Sequence, residues 1–479
     1  MRAAWVLLLL TPLSAQQYDL VIRNGRVVDP ESGLDAVRNL GISSGKVAAV
    51  SAAPLDGRAV IDASGMVVAP GFIDLHSHGQ DAENYRYKAM DGVTTALEME
   101  VGVADVDAWY DHRKNQALIN YGASVGHIPV RMRVMRDPGG FLPTGDAAHR
   151  AATDEEIAAC RRQIAEGLAR GAAGVGLGIQ YTPAASRWEI LEMFRAAAHA
   201  GAACFVHLRA PGSESVNALE EVMAASALTG APVHVAHIAS SGLAETPRLL
   251  SMIAEARARQ LDITTEMYPY TAAMSAIESA LFDPGWQGVL GIGYGDLQWA
   301  ATGERLTPES FPRFRSLGGG VILHMIPPAA LEAAMANPDV MIASDGGLLN
   351  GKGHPRSSGT FARVLGHYVR ETGAMGLLDA IRKMSLLPAQ RLAQRVPAMR
   401  NKGCIREGAD ADLAIFDPLT VADASSYENP ARYSIGIRYV LVNGVPVVSE
   451  GRLRNVTPGR PVRAPLPSVA HASACRRDS

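Results

Sequence analysis

The fold class this sequence predicts is α/β, a (β/α)8 TIM-type barrel with a small β-sandwich domain formed by both chain ends. Three observations predict it. Short apolar runs alternate with amphipathic helical stretches through the middle of the chain. A turn-rich, alternating β texture occupies residues 17–68 and returns at residues 401–455. The polar residues of the central runs gather at their C-terminal ends, where barrels carry their active sites. An open, doubly wound sheet is the alternative architecture.

The first sixteen residues, MRAAWVLLLLTPLSAQ, hold one Arg, an apolar run from Trp5 to Leu10 and a small-residue exit near Ala15. This is the pattern of a secretory signal peptide, and it is too short to span a bilayer. A secreted or periplasmic location is therefore expected. No other segment reaches the ~18 apolar residues of a membrane span, so no membrane insertion is expected. From 17 to 68 the segments DLVIRNGRVVDPESG, NLGISSGKVAAV and VIDASGMVV read as strands, with Asn24-Gly25 as a hairpin signal.

Residues 69–400 form the predicted barrel. Its strands are expected at Phe72–His76, Thr94–Glu100, Ala123–Val130, Gly174–Ile179, Cys204–Leu208, Val233–His237, Ile263–Tyr268 and Val340–Ser344. The stretch from about 281 to 338 is too long for a βα connection and reads as an insertion able to cover the barrel mouth. Residues 401–455 return to the end domain, with a second Asn-Gly turn at Asn443-Gly444. Residues 456–479, rich in Pro, Ala and Arg, are expected to form a loose tail.

Composition excludes several classes. The formal net charge is −3, from 45 basic and 48 acidic residues with no long run of either sign. That balance offers nucleic acid no electrostatic footprint. Small-molecule chemistry is the expected business of the chain, with room left for a homo-oligomer. Cys160, Cys204, Cys404 and Cys475 show no paired spacing and are expected to be free thiols.

The first barrel strand ends in HSH, and a strand's period of two puts His76 and His78 on one face. His207, His237 and Asp345 end three further strands. Each alone reads as a core or loop residue. Together, at matching ends of four strands, they point to a site for one or two divalent ions. The second strand runs through ALEMEV, with Glu98 and Glu100 in an otherwise apolar stretch. Two acids in a strand buried on both faces call for positive charge opposite them. His127 and His354 are further candidates for the mouth, or for structural roles.

At this level of detail a family becomes visible. VVAPGFIDLHSH, with His207, His237 and Asp345, resembles the amidohydrolase superfamily. NYGASVGHIPVRMRVM, GAAGVGLGIQYTP, DITTEMYPYTAA and ASDGGLLNGKGHPRSSGTFARVLGHYVRETG are similar to its D-aminoacylase branch, as are NKGCIREGADADLAIFDP and YSIGIRYVLVNG. The resemblance implies zinc, one or two ions, and hydrolysis of the amide bond of an N-acyl-D-amino acid. It implies His76 and His78 on one ion, and His207 and His237 on the other. Asp345 is implied as general base and then acid. No lysine lies in GAAGVGLGIQYTP, which closes the bridging carboxylated lysine used elsewhere in the superfamily.

Two departures stand out. The branch's bridging cysteine falls at Val101, so Glu100, with Glu98 as the alternate, is expected to take the bridging place. A one-residue offset reverses a strand side chain, so a bulge must re-aim it or the bridging scheme differs. The branch's lysine two residues beyond the sixth-strand histidine is here Ala239, followed by Ser240 and Ser241. Arg356 and Arg209 are candidates for a substrate carboxylate, and Tyr181 and Tyr268 for hydrogen bonds to substrate. The departures leave open a cyclic amidase or other amide or lactone hydrolase on the same metal centre. They also leave open a catalytically inactive metal-binding barrel.

Overall fold

The computed structural model describes residues 17–466; the signal-peptide expectation, residues 467–479 and Cys475 lie outside them. Eight strands, Phe72–Asp74, Val93–Val103, Asn120–Gly126, Val175–Gly178, Cys204–His207, Val233–Val235, Ile263–Met267 and Val340–Ile342, form one sheet in chain order. Every ladder between neighbours is parallel. Helices between the strands cover the outer face, which makes this the expected barrel. The strands were readable because burial on both faces demands near-continuous apolar runs.

Side chains complete the closure between the last and first strands. Asp74 accepts hydrogen bonds from the Ser344 backbone N–H at 2.9 Å and from Ser344 Oγ at 2.6 Å. Lys88, itself buried, reaches Asp74 at 2.9 Å and Ser344 Oγ at 2.6 Å. The Asp345 N–H then donates to the His76 carbonyl at 2.7 Å. The barrel is thus clasped at the point where two of its site-bearing strands meet.

The third strand is shorter than expected. It stops at Gly126, and Ala123–Val130 divides into a strand end and a helix over His127–Met135. Pro129 sits in the first turn of that helix, where its missing N–H costs no hydrogen bond. His127 is accordingly off the mouth: fully buried, it pairs through Nε2 with Glu189 at 2.8 Å.

Both chain ends build a nine-stranded mixed sheet. Tyr18–Asp29 pairs with Leu34–Ser43, Gly57–Asp62 and Val67–Pro70, and the last of these pairs with Leu413–Phe416 from the C-terminal half. Asn443-Gly444 makes the expected tight turn, with φ of 50° and 81°. Asn24-Gly25 does not. It forms a bulge inside the single strand Tyr18–Asp29, and the chain reverses after Asp29 instead. Asn24 has φ 59°, so the left-handed preference is met, but by a bulge.

Two boundaries also move. Residues 456–466 are not loose: Val462 and Ala464 are buried, and Val462 N–H donates to the Tyr121 carbonyl at 2.7 Å. The insertion contains a three-stranded sheet of Ala273–Ala276, Leu297–Trp299 and Gly320–Leu323, so it begins ahead of residue 281. Its own core of Phe282, Trp286, Trp299, Phe311 and Phe314 keeps it folded over the barrel mouth. Cys160, Cys204 and Cys404 are buried and free. No helix among the described residues is long and apolar enough to cross a membrane.

Candidate metal centre

The strand ends bring His76, His78, Glu100, His207, His237 and Asp345 together at the mouth. His76 Nε2 lies 3.1 Å from His78 Nε2 and 3.4 Å from Asp345 Oδ1, which is 3.2 Å from His78 Nε2. Ligand atoms of these three lie within 4.8 Å of one another, and so do those of His76, Glu100 and His237. Glu100 spans the two groups. Its Oε2 is 3.4 Å from His76 Nε2 and 3.5 Å from His78 Nε2, while Oε1 is 3.0 Å from His207 Nδ1.

A bulge aims Glu100. Along the second strand the pairing with the third jumps from Glu98–Ala123 to Val103–Val125, so residues 99–102 face Ser124 alone. Gly102 takes φ 69° inside the bulge. Gly126 makes room for it: a Cβ there would lie 1.9 Å from the Val101 carbonyl oxygen. Glu98 and Glu100, two apart, both face the site. Glu98 Oε2 receives His78 Nδ1 at 2.9 Å, and its Oε1 accepts the Gly102 N–H at 3.2 Å. The geometry gives Glu98 a hold on a histidine ring and gives Glu100 the spanning position.

The rings of His76 and His207 are also held. Glu266 Oε1 lies 2.6 Å from His76 Nδ1 and accepts the His237 backbone N–H at 3.4 Å. Gln180 Oε1 lies 2.6 Å from His207 Nε2. An amide oxygen only accepts, so His207 Nε2 is the donor in that contact. His237 and Asp345 have φ of 30° and 51°, a left-handed backbone rare outside glycine. Such strain, over-determined by surrounding bonds, clusters at functional sites.

The charge balance favours a cation. Glu98, Glu100, Glu266 and Asp345 are all nearly buried here, and the one arginine among them, Arg356, stands 3.0 Å from Asp345. Burial opposes protonation of His78, yet Glu98 and Asp345 carry its pKa up to about 10. Burial likewise opposes protonation of His76, but Asp345 and Glu266 hold its pKa well above the usual value. His237 goes the other way, to about 3, through burial and the nearby His207. Burial works against ionising Asp345, but Arg356 and His76 keep its pKa below the ordinary carboxylate range. Imidazole nitrogens and carboxylate oxygens converging within such surroundings are the donor set of a divalent ion such as zinc.

The substrate-side candidates divide. Arg356 borders the mouth cavity of about 300 Å³, is nearly buried, stacks over Tyr268 at 4.4 Å and leaves its Nε without a hydrogen-bond partner. Tyr181 lines the same cavity, its ring edge-on to His207 and its hydroxyl accepting from Ser275 Oγ at 3.2 Å. Tyr268 is buried beneath Arg356 with its hydroxyl unpaired. Arg209 is not at the site. Glu221 grips it at 2.7 and 2.6 Å, and it donates to the carbonyls of Pro183 and Ala185. His354 borders the cavity with both ring nitrogens in use, on the Ala272 carbonyl and the Arg356 N–H.

Reading the sequence overlooked Glu266 and Gln180. Glu266 had a signal, an acid in the buried run ITTEM, the same kind that marks Glu98 and Glu100. Gln180 had none, because a neutral amide is unremarked until a ring meets it. Gln180→Leu is expected to weaken metal binding by about 10- to 100-fold, as loss of a ligand-orienting hydrogen bond typically does. Chelator competition measures this; unchanged affinity would remove Gln180 from that role.

Comparison with known proteins agrees with this geometry. The model of the amidohydrolase family matches residues 59–448. A D-aminoacylase of Alcaligenes xylosoxydans xylosoxydans is 31% identical over 93% of this chain and 98% of its own. The crystal structure of an N-acyl-D-glutamate deacylase from Bordetella bronchiseptica, complexed with zinc and a phosphonate mimic of the tetrahedral intermediate, superimposes with TM-score 0.81. It is 27% identical, with 94% of this chain and all of that one covered. A D-aminoacylase structure concerned with a binuclear metal centre matches with the same TM-score, identity and coverage.

Proposed function

The chain belongs to the amidohydrolase family, in its D-aminoacylase branch, and is a metal-dependent hydrolase of carbon–nitrogen amide bonds; from that premise we propose that it hydrolyses N-acyl-D-amino acids with zinc. The observation that carries this reading is Arg356. Its nearly buried guanidinium borders the same cavity as the histidine and carboxylate cluster, and neither its Nε nor its Nη1 makes a hydrogen bond. An N-acyl amino acid presents a carboxylate one carbon from its amide nitrogen, which suits a fork of donors beside a hydrolytic centre.

In this proposal His76, His78, Glu100, His207, His237 and Asp345 are the residues that would hold one or two divalent ions. A divalent ion supplies acidification of water toward pKa ~7 and polarisation of the scissile carbonyl. Everything else falls to the chain. Arg356, kept flat on Tyr268, receives the substrate carboxylate and fixes which amide face meets Asp345. Asp345, held ionised by Arg356 and His76, accepts the proton of the attacking water and returns it to the leaving amine nitrogen. Tyr181 and the apolar underside of the insertion keep bulk water from the cavity.

The reaction is taken to occur outside the cytoplasm, on the signal-like residues 1–16. The test is a panel of N-acetyl-D- and N-acetyl-L-amino acids and cyclic amides, assayed on metal-quantified protein from the periplasm or medium. Turnover of D-substrates is expected to lead. Turnover of cyclic amides alone would refute the deacylase reading, and a cytosolic chain with its N-terminus intact would refute export.

A further inference from the structure

The sixth barrel strand, Val233–Val235, carries a second histidine three residues before His237. We infer that this residue, His234, is a positioning residue: it donates a hydrogen bond to the free oxygen of Glu266 and so steadies the carboxylate that holds the His76 ring. The inference rests on the metal-dependent reading of the site. Register brings the parts together. His234 lies opposite Phe205 on one side and opposite Thr264 on the other. Glu266 stands two residues past Thr264, on the same face of the seventh strand. The buried His234 ring thus sits between a phenylalanine and a strand that presents first a hydroxyl and then a carboxylate.

His234 Nδ1 lies 2.8 Å from Thr264 Oγ1, and Nε2 faces Glu266 Oε2 at 3.8 Å. That gap is longer than a hydrogen bond. Yet both atoms are buried, and neither has a hydrogen-bond partner among the described residues. The other oxygen of Glu266 is in use, accepting from His76 Nδ1 at 2.6 Å and from the His237 N–H at 3.4 Å. A buried carboxylate oxygen left without a donor is costly, and His234 Nε2 is the nitrogen turned toward it. Burial holds the His234 pKa below its ordinary value, so the ring is neutral and carries one N–H. A carboxylate only accepts, which puts that hydrogen on Nε2 and leaves Nδ1 to accept from the Thr264 hydroxyl.

The contacts run from Thr264 through His234 and Glu266 to His76. Because His76 Nδ1 donates to Glu266, Nε2 is the nitrogen turned to His78, Glu100 and Asp345. A carboxylate behind a ligand histidine fixes the orientation of its ring. Packing alone does not call for a histidine at this place. Phe205, 5.2 Å from the His234 ring, belongs to an apolar core cluster with Ile73, Leu97, Met99 and Met341, which a leucine would serve as well.

The test is zinc affinity, measured by chelator competition on the full chain. His234→Leu is expected to bind zinc about 10- to 100-fold more weakly, with a metal-free melting temperature near that of the wild type. His234→Gln, whose amide N–H can serve Glu266, is expected to recover most of that loss. Phe205→Leu changes the packing beside the same ring and is expected to leave the affinity unchanged. Nitrogen NMR on histidine-labelled wild type gives a readout independent of any variant's stability. The ring signals that disappear in His234→Gln are expected to show the hydrogen on Nε2. Wild-type affinity in His234→Leu, a glutamine variant as weak as the leucine one, equal weakening by Phe205→Leu, or hydrogen on Nδ1 each overturns the inference while leaving the metal centre in place. A wild-type chain that takes up no divalent ion overturns the metal-centre reading and this inference with it.

Discussion

Glu100→Ala is expected to lower the bound metal by about one ion per chain and kcat/KM by about 10³ or more, near 4 kcal/mol at ~1.4 kcal/mol per decade. The expectation follows from position. Glu100 reaches His76 and His78 with one oxygen and His207 with the other, so its removal affects both histidine pairs. A carboxylate also carries the charge that a thiolate brings in the cysteine-bearing members of the branch. Glu100→Gln separates charge from shape: it keeps one acceptor oxygen but loses the anion, and an intermediate loss of metal is expected. Metal analysis after dialysis, alongside kinetics, reads both. Full stoichiometry and activity in the alanine variant would show that Glu100 only shields the histidines. Glu98 gives the internal control, because it touches His78 Nδ1 and the Gly102 N–H rather than the convergence point.

How the acids of the second strand arise shows what a sequence discloses. Their presence in a buried run was plain, and so was the demand for positive charge opposite them. Their aim was not. That depends on four residues facing one in the neighbouring strand, and on Gly126 leaving space for the Val101 carbonyl. Bulges are set between strands, and a single strand's letters do not carry them. Asn24-Gly25 teaches the same lesson in reverse, since the left-handed preference of asparagine serves a bulge as well as a hairpin.

The eight barrel strands were legible because two-sided burial leaves runs of apolar residues ending on chemistry-bearing ones. The third failed at its end for a local reason: the apolar run continues through His127 into a helix, with Pro129 absorbed by the first turn. Arg209 failed for a tertiary one. Two residues past a strand-end histidine, it suggests a substrate contact, but the helix Ser215–Thr229 delivers Glu221 to it. A guanidinium so fully engaged has nothing left for substrate. Arg356 differs because its carboxylate neighbour is itself part of the reaction site and its Nε stays unpaired.

Asp345→Asn is expected to reduce kcat by about 10²–10⁴, the usual worth of a positioned proton-transfer group, with metal content near normal. An amide oxygen can still face His76 and His78, so the ligand geometry survives; what disappears is the capacity to take a proton. KM is expected to change little or to fall. Arg356 loses the partner 3.0 Å away, and its guanidinium is then freer to bind the substrate carboxylate. A split of collapsed kcat against a retained or lowered KM separates a proton shuttle from a residue that merely binds. Loss of metal together with activity would instead make Asp345 a ligand first. Retained kcat would pass the proton-transfer role to another group. In the structure Asp345 is strained at φ 51°, pinned by the His76 carbonyl through its own N–H and faced by an arginine. Three independent constraints hold one carboxylate at the point where two histidines converge, and conversion to asparagine keeps all that geometry while removing the one function it serves.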